Sequence, residues 1–561
     1  MIDVNLPTFD AHNGYPSQTQ LLHIAARQND NVLIRLLIKT YRARLNVFDE
    51  DGCTPLHICC YENNLEALKA LLENDADFQK GVRLNPHDTP ISICVRYQHD
   101  QCLKAIFDLT INFNWKRYFS QLPRSPLLCD FPSIYAIELL IEHSLDIDAC
   151  DERGNTFLHY LVNKKDIDYE KYIDVLVRSS ADFNRQNRFG RTPFLEALEQ
   201  KNSILINVFL QHLDIVDIHL VDSLGNTALH YCKHLSDTTN CPIILEKNPN
   251  SINAQNRDGQ TPLHDAILCN NISFAKYLLD NSADINLKNK DGNTPLHLAA
   301  RDDNIRMCRL LMKYPKLNLN LIATNKLGKT PLHLACAHEK SEVAKFLVNI
   351  LTTEQMNLVD NQGRTSLHEC AENFNGSLAR YLLRHGANEN MKDLRQNNVL
   401  HLSTEKGNFE LVRTLVRSSN IDINQLNDDM HSSLALAILY NHDDVSKYLL
   451  NTENIRIQST DLKMAIQMNN YEMVRLLCEK DRNCSRVRSS THGDMIIHIY
   501  MRRNFNNLVC LETLLSFIPD NDLLTYLSER SLANGDNLLH IAGKIKRKKR
   551  ENFLLPLFFV S

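Results

Sequence analysis

The chain has 561 residues, of which 43% are hydrophobic and 23% charged, with a formal net charge of −5. So near-neutral a balance excludes the strongly basic footprint of a nucleic-acid-binding domain, and only 16 glycines and 17 prolines exclude long disordered linkers. The 16 cysteines stand singly or as the adjacent pair Cys59–Cys60, with no CxxC, which excludes a disulfide framework or zinc module and predicts reduced thiols in the cytosol.

Residues 1–18 form a lead-in with no basic n-region or apolar h-region, so no secretory leader is expected. No run of about 18 apolar residues follows anywhere, so no transmembrane helix is expected either. From residue 19 a unit built around one histidine recurs. Its histidines are His23, His57, His159, His230, His264, His297, His333, His368, His401, His498 and His540. Between His230 and His401 the successive spacings are 34, 33, 36, 35 and 33 residues. The wider gaps are near multiples of that period. Units without the histidine fill them, around Ser92, Leu128 and Leu195, and later around Ala435 and Lys463. The total is roughly sixteen units, several of them degenerate.

In chain order the segments are 19–107, N-terminal repeats; 108–133, an irregular aromatic insertion or degenerate repeat; 134–252, partly degenerate repeats; 253–420, the regular centre; 421–543, partly degenerate repeats; and 544–561, a basic and apolar tail.

The unit at 289–320 shows the physics. Asp291-Gly292 is turn chemistry, with glycine free to take positive φ. Thr294 caps a helix and Pro295 opens it, where a missing N–H costs nothing. Leu296, Leu298, Ala299 and Ala300 give this short helix a small-residue face. A second helix follows, with Met307, Leu310 and Leu311 at i, i+3, i+4. That triplet recurs as Ala275/Leu278/Leu279, Val343/Phe346/Leu347, Ala379/Leu382/Leu383 and Val412/Leu415/Val416. Two short helices cannot bury these faces alone; stacking on the next pair does.

The signature T-P-L-H stands at Thr54–His57, Thr261–His264, Thr294–His297 and Thr330–His333, with looser forms at Thr156–His159, Thr227–His230 and Thr365–His368. With the connections "ADINLKNKDGNTPLH" (283–297) and "HGANENMKD" (385–393), the chain resembles the ankyrin-repeat family over about residues 19–543. The resemblance implies an all-α ankyrin-repeat solenoid of paired antiparallel helices with β-hairpin fingers. It gives the histidines an architectural role. Thr261 and His264, Thr294 and His297, Thr330 and His333, and Thr365 and His368 are then structural pairs.

His230, Cys232, His234 and Cys241 are the one local set with metal-ligand chemistry, because His230 and His234 share a helix face. Cys232 points elsewhere on that helix and His230 already fills the repeat slot, so no metal and no cofactor are expected. Phosphate-binding glycine loops, GxSxG, HExxH and kinase signatures are all missing, and no enzyme is expected.

Family resemblance also implies that binding sits on a concave face, at positions flanking the turn glycine and following the first helix. In the best-formed units these are Arg257, Asp258, Lys290, Asp291, Arg301, Asp302, Lys326, Lys329, His338, Arg364, Glu372 and Arg395. The cations between 326 and 395 suggest a partner with an acidic stripe. The expected partners are proteins, with no nucleic acid, and with membrane contact only indirect or through the tail. The 108–133 segment, with Trp115, Tyr118 and Phe119, is read as a packed insertion in preference to a docking loop. Residues 480–494, basic and serine-containing, are a lengthened connection open to phosphorylation.

In the tail, Lys544 to Arg550 is a basic run of the nuclear-import or anionic-lipid kind, and Phe553–Val560 is too short to span a bilayer. The break after His540, inside a repeat, reads as an alternative end to the chain. The function expected is a cytoplasmic, non-catalytic scaffold or adaptor. The alternatives are the N-terminal repeat region of a larger membrane-linked protein, of the transient-receptor-potential channel or endosomal adaptor type, and a nuclear regulator of a transcription factor.

Overall fold

The computed structural model describes residues 21–122, 125–128, 132–164, 167–235, 238–338, 341–418, 420–481 and 509–517. The chain divides into two compact units, Met1–Leu278 and Leu279–Ser561. Each unit is a succession of short helices in pairs, and no β-strand occurs among the described residues. The first unit opens with Leu21–Arg27 and Asn31–Lys39; the second closes its regular pairs with Ser459–Gln467 and Tyr471–Lys480. This is the all-α ankyrin solenoid architecture. The fingers are hydrogen-bonded turns too short to count as strands.

Local chemistry explains each pair. Threonine caps the first helix: the His57 amide donates to Thr54 Oγ1 at 3.4 Å and the Leu195 amide to Thr192 Oγ1 at 3.2 Å. Proline takes the first turn in Pro55–Glu62, Pro193–Glu199 and Pro331–Cys336. First helices are buried nearly all round. Ser366–Glu372 packs between Pro331–Cys336 and Val399–Lys406 and against its own partner Gly376–Arg384, so Leu367, His368, Cys370 and Ala371 all lie inside. Second helices are amphipathic. Met307, Cys308, Leu310 and Leu311 are buried, while Arg306, Arg309 and Lys313 are exposed.

Free thiols sit in these interfaces. Cys59, Cys60, Cys94, Cys336 and Cys370 are fully buried, whereas Cys150 and Cys269 are exposed.

Two irregular units have plain causes. Near 126 the first helix shrinks to one 3₁₀ turn, Pro126–Leu128, lodged between Pro90–Arg96 and Phe157–Leu161. An extra helix, Trp115–Gln121, brings rings into the adjoining space. The Trp115 centroid lies 4.6 Å from Phe107, 4.8 Å from Phe113 and 5.3 Å from Phe78. Trp115, Tyr118 and Phe119 are all buried, so these three rings pack inward and offer no docking surface. In Ser459–Gln467 the slot lies at Asp461, two residues before Lys463. The cap is Gln458, whose N–H donates to Asp461 Oδ2 at 2.6 Å, so the unit is centred two residues earlier than the sequence reading around Lys463. His498, His540, most of the 480–494 connection and the 544–561 tail lie outside the described residues.

Candidate binding surface

Within each compact unit three sets of hydrogen bonds recur between successive repeats and fix what the surface presents. The slot histidine makes the first. In Thr54–His57, Nδ1 takes hydrogen bonds from the Thr54 amide (3.0 Å) and hydroxyl (2.7 Å), and Nε2 donates to the Lys80 carbonyl of the following repeat at 2.8 Å. His159, His230, His297, His333 and His401 repeat this with Arg191, Gln260, Lys329, Arg364 and Gln425, each at 3.0 Å. The Thr261–His264, Thr294–His297, Thr330–His333 and Thr365–His368 pairs close at 2.8, 2.8, 2.8 and 2.9 Å. Burial disfavours the imidazolium, and it holds His57, His297, His368 and His401 down at about 4.

The finger turns make the second set. In most of the described fingers an Asp or Asn opens the turn and takes two of its amides: Asn325 Oδ1 accepts from Leu327 and Lys329, both at 3.0 Å. Glycine closes the turn at positive φ, as Gly292 does at 79°. A Cβ there would lie 2.7 Å from the Lys326 nitrogen of the next finger. That closeness allows the backbone bond from Lys326 N to Asp291 O at 2.9 Å. Equivalent bonds join Arg188 to Arg153, Ser223 to Phe189, Arg257 to Leu224, Leu394 to Gln362 and Asp428 to Arg395.

The third set comes from the caps of second helices. Asn64 Nδ2 donates to the Ala26 and Arg27 carbonyls at 2.9 Å, and Asn202 Nδ2 to Val162 O at 2.9 Å.

Upon this frame the sequence-predicted residues separate into two groups. Arg257, Asp258, Lys290, Asp291, Lys326 and Arg395 stand exposed on the finger tips. The others are engaged with neighbours. Lys329 pairs with buried Glu369 at 2.6 Å. Arg364 pairs with Glu372 at 2.7 Å and lies 3.8 Å from Asp393. Arg301 pairs with Asp302 at 2.8 Å, and the His338 ring meets the Arg301 carbonyl. Lys329 and Arg364 thus spend their charge inside the stack.

The same holds for a network that sequence reasoning missed, in units treated as degenerate. Arg191 reaches Glu196 (3.3 Å), Glu199 (3.2 Å) and the Tyr231 hydroxyl (3.0 Å), and Tyr231 donates to Asp222 at 2.6 Å. The signal was available, since Arg191 precedes Thr192 as Lys329 precedes Thr330 and Arg364 precedes Thr365.

Three side chains of the His230–Cys241 cluster have other partners. His230 serves the ladder, Cys232 Sγ donates to the Ala228 carbonyl at 3.5 Å, and His234 lies 3.4 Å from Glu199. No helix among the described residues is long and apolar enough to cross a membrane.

The family description "Ankyrin repeats (3 copies)" matches residues 22–117 and, in overlapping segments, 197–488. The chain is 32% identical over 164 residues to ankyrin repeat protein OPG189 of variola virus, covering 28% of each. It is 29% identical over 201 residues to a B-cell lymphoma 3 protein homolog of Mus musculus, covering 32% of this chain and 41% of the relative. To the human transient receptor potential cation channel subfamily A member 1 it is 26% identical over 297 residues, 46% of this chain and 26% of the channel. In each case the match spans less than half the relative's length. Signature, ladders and family match agree: the chain belongs to the ankyrin-repeat family, whose repeats are protein-interaction modules.

Proposed function

We propose that the protein is a non-catalytic scaffold or adaptor of the cytosol that holds partner proteins against its finger tips. One observation carries the reading. Tip side chains such as Arg257, Lys290, Lys326 and Arg395 are exposed, while the backbone beneath them is fixed by finger-to-finger hydrogen bonds. A rigid frame that presents varied side chains gives up little entropy when it binds. Buried free thiols support a reducing compartment.

The test is capture from cell lysate on the immobilised full chain, read by mass spectrometry. A variant with Arg257, Asp258, Lys290, Asp291, Lys326 and Arg395 all replaced by serine should lose most captured proteins while keeping its unfolding midpoint. An unchanged capture profile would remove the finger tips from the binding surface.

A further inference from the structure

Resting on the protein-binding reading above, a deeper assignment comes from the tips of four successive fingers in the first unit. Their backbone bonds place six residues in one continuous row. Arg188 N bonds to Arg153 O at 2.8 Å, Ser223 N to Phe189 O at 2.9 Å, and Arg257 N to Leu224 O at 2.7 Å. The row therefore reads Arg153, Arg188, Phe189, Ser223, Leu224, Arg257. Its centre is apolar and open: Phe189 is 56% exposed and Leu224 55%. Its ends are cationic. Among the described residues, no carboxylate lies within ion-pair distance of Arg153, Arg188 or Arg257.

That separates them from other cations near the first helices. Arg191, Lys233, Lys329 and Arg364 are each matched by a carboxylate of the stack. A cleft of about 290 Å³ opens beside the row, and Arg153 and Phe189 both border it, together with Tyr160, Asn163 and Arg191.

We infer that this row binds an extended acidic segment of a partner protein, with an apolar residue at its centre and carboxylates on both sides. The apolar anchor covers Phe189 and Leu224 and lies over the cleft mouth, and the flanking carboxylates meet Arg188 and Arg153 on one side and Arg257 on the other. Arginine suits this task because its planar fork pairs two oxygens at once. An extended segment is required because the row follows successive fingers. Nucleic acid fits worse: Phe189 and Leu224 interrupt the cations with an open apolar centre, and Glu152 and Asp258 beside the outer arginines leave no continuous cationic track for a phosphate backbone, so the carboxylates of the segment meet single arginine forks.

The probe is a fluorescein-labelled decapeptide of glutamates with two central leucines, titrated with the full chain by fluorescence anisotropy. Binding should weaken steadily between about 50 and about 300 mM salt. The triple reversal R153E/R188E/R257E should weaken it at least about tenfold. The pair F189A/L224A should weaken it with the salt dependence kept, and R306E/K313E, exposed on a second helix away from the fingers, should leave it unchanged. Unfolding midpoints of all variants should match the parent, since each side chain is exposed and each backbone bond is retained.

Equal binding by the triple reversal overturns the assignment. So does equal binding of a decapeptide of glutamates alone, which would remove the apolar centre. Tighter binding of polythymidine, with displacement of the peptide, replaces the acidic segment by nucleic acid. If the peptide fails to bind while lysate capture still depends on the finger tips, this row is wrong and the scaffold reading stands. If both fail, the scaffold reading falls with it.

Discussion

A slot histidine works by staying uncharged: Nδ1 accepts from its own cap, in His57, His297 and His401 Nε2 donates onward, and a second proton would destroy the acceptor. Its folded-state affinity for that proton lies near 4 for His57, His297, His368 and His401, against 6.5 for the free side chain, because burial penalises the cation. The sign follows. The stabilisation is complete above about pH 6.5 and is lost as pH falls toward 4, at about 1.4 kcal/mol per pH unit for each histidine. Asp461 behaves in the opposite sense. Fully buried, it is pushed up to about 6 from 3.8, so its ionisation costs stability above that pH and the cost is relieved on acidification. Urea unfolding at pH 7, 6 and 5 should show the parent weakening toward acid. An Asp461→Asn variant should be more stable than the parent at pH 7, with an advantage that has shrunk by about half at pH 5. The Ser432 hydroxyl that donates to Asp461 can turn to accept from the new amide. A flat profile to pH 5 would contradict the histidine account.

Among the elements, position in the finger decides whether a cation matters for folding or for binding. Lys326 and Lys329 are three residues apart. The first ends in solvent; the second ends on Glu369, which is 4% exposed and whose pKa burial raises. Lys329→Ala should cost about 3 kcal/mol by stranding a buried carboxylate, whereas Lys326→Ala should change stability by less than about 0.5 kcal/mol. Comparable losses in denaturant titration would refute the distinction. The sequence could not draw it, because both residues flank Gly328 and look alike in a pattern. What did show there was local: the caps, the turn glycines, the i, i+3, i+4 faces and the histidine period all come from interactions within one unit. Inter-repeat pairing depends on which residue of the next unit arrives opposite. Arg191 with Tyr231 of the next repeat was therefore invisible, and so was the row of Arg153, Arg188, Phe189 and Leu224. The register at Asp461 was hidden for a related reason, since glutamine is an unusual cap.

For the whole molecule, stability is a sum of neighbour-to-neighbour terms, so opening proceeds repeat by repeat instead of all at once. The segment 253–420, where the slot histidines and finger turns recur most regularly, should open last. The buried thiols turn this into something that can be watched. Burial lifts Cys59, Cys60 and Cys336 well above the ordinary thiol range, so a closed repeat hides its sulfur from an alkylating reagent and also keeps it protonated. A timed maleimide pulse should therefore modify Cys150 and Cys269 at once, then Cys102 and Cys478, and Cys308, Cys336 and Cys370 only slowly. Early modification of the last three would overturn the stiff centre. The protein carries its own clock along the chain, with a sulfur atom ticking in one repeat after another and no dye or mutation needed to read it.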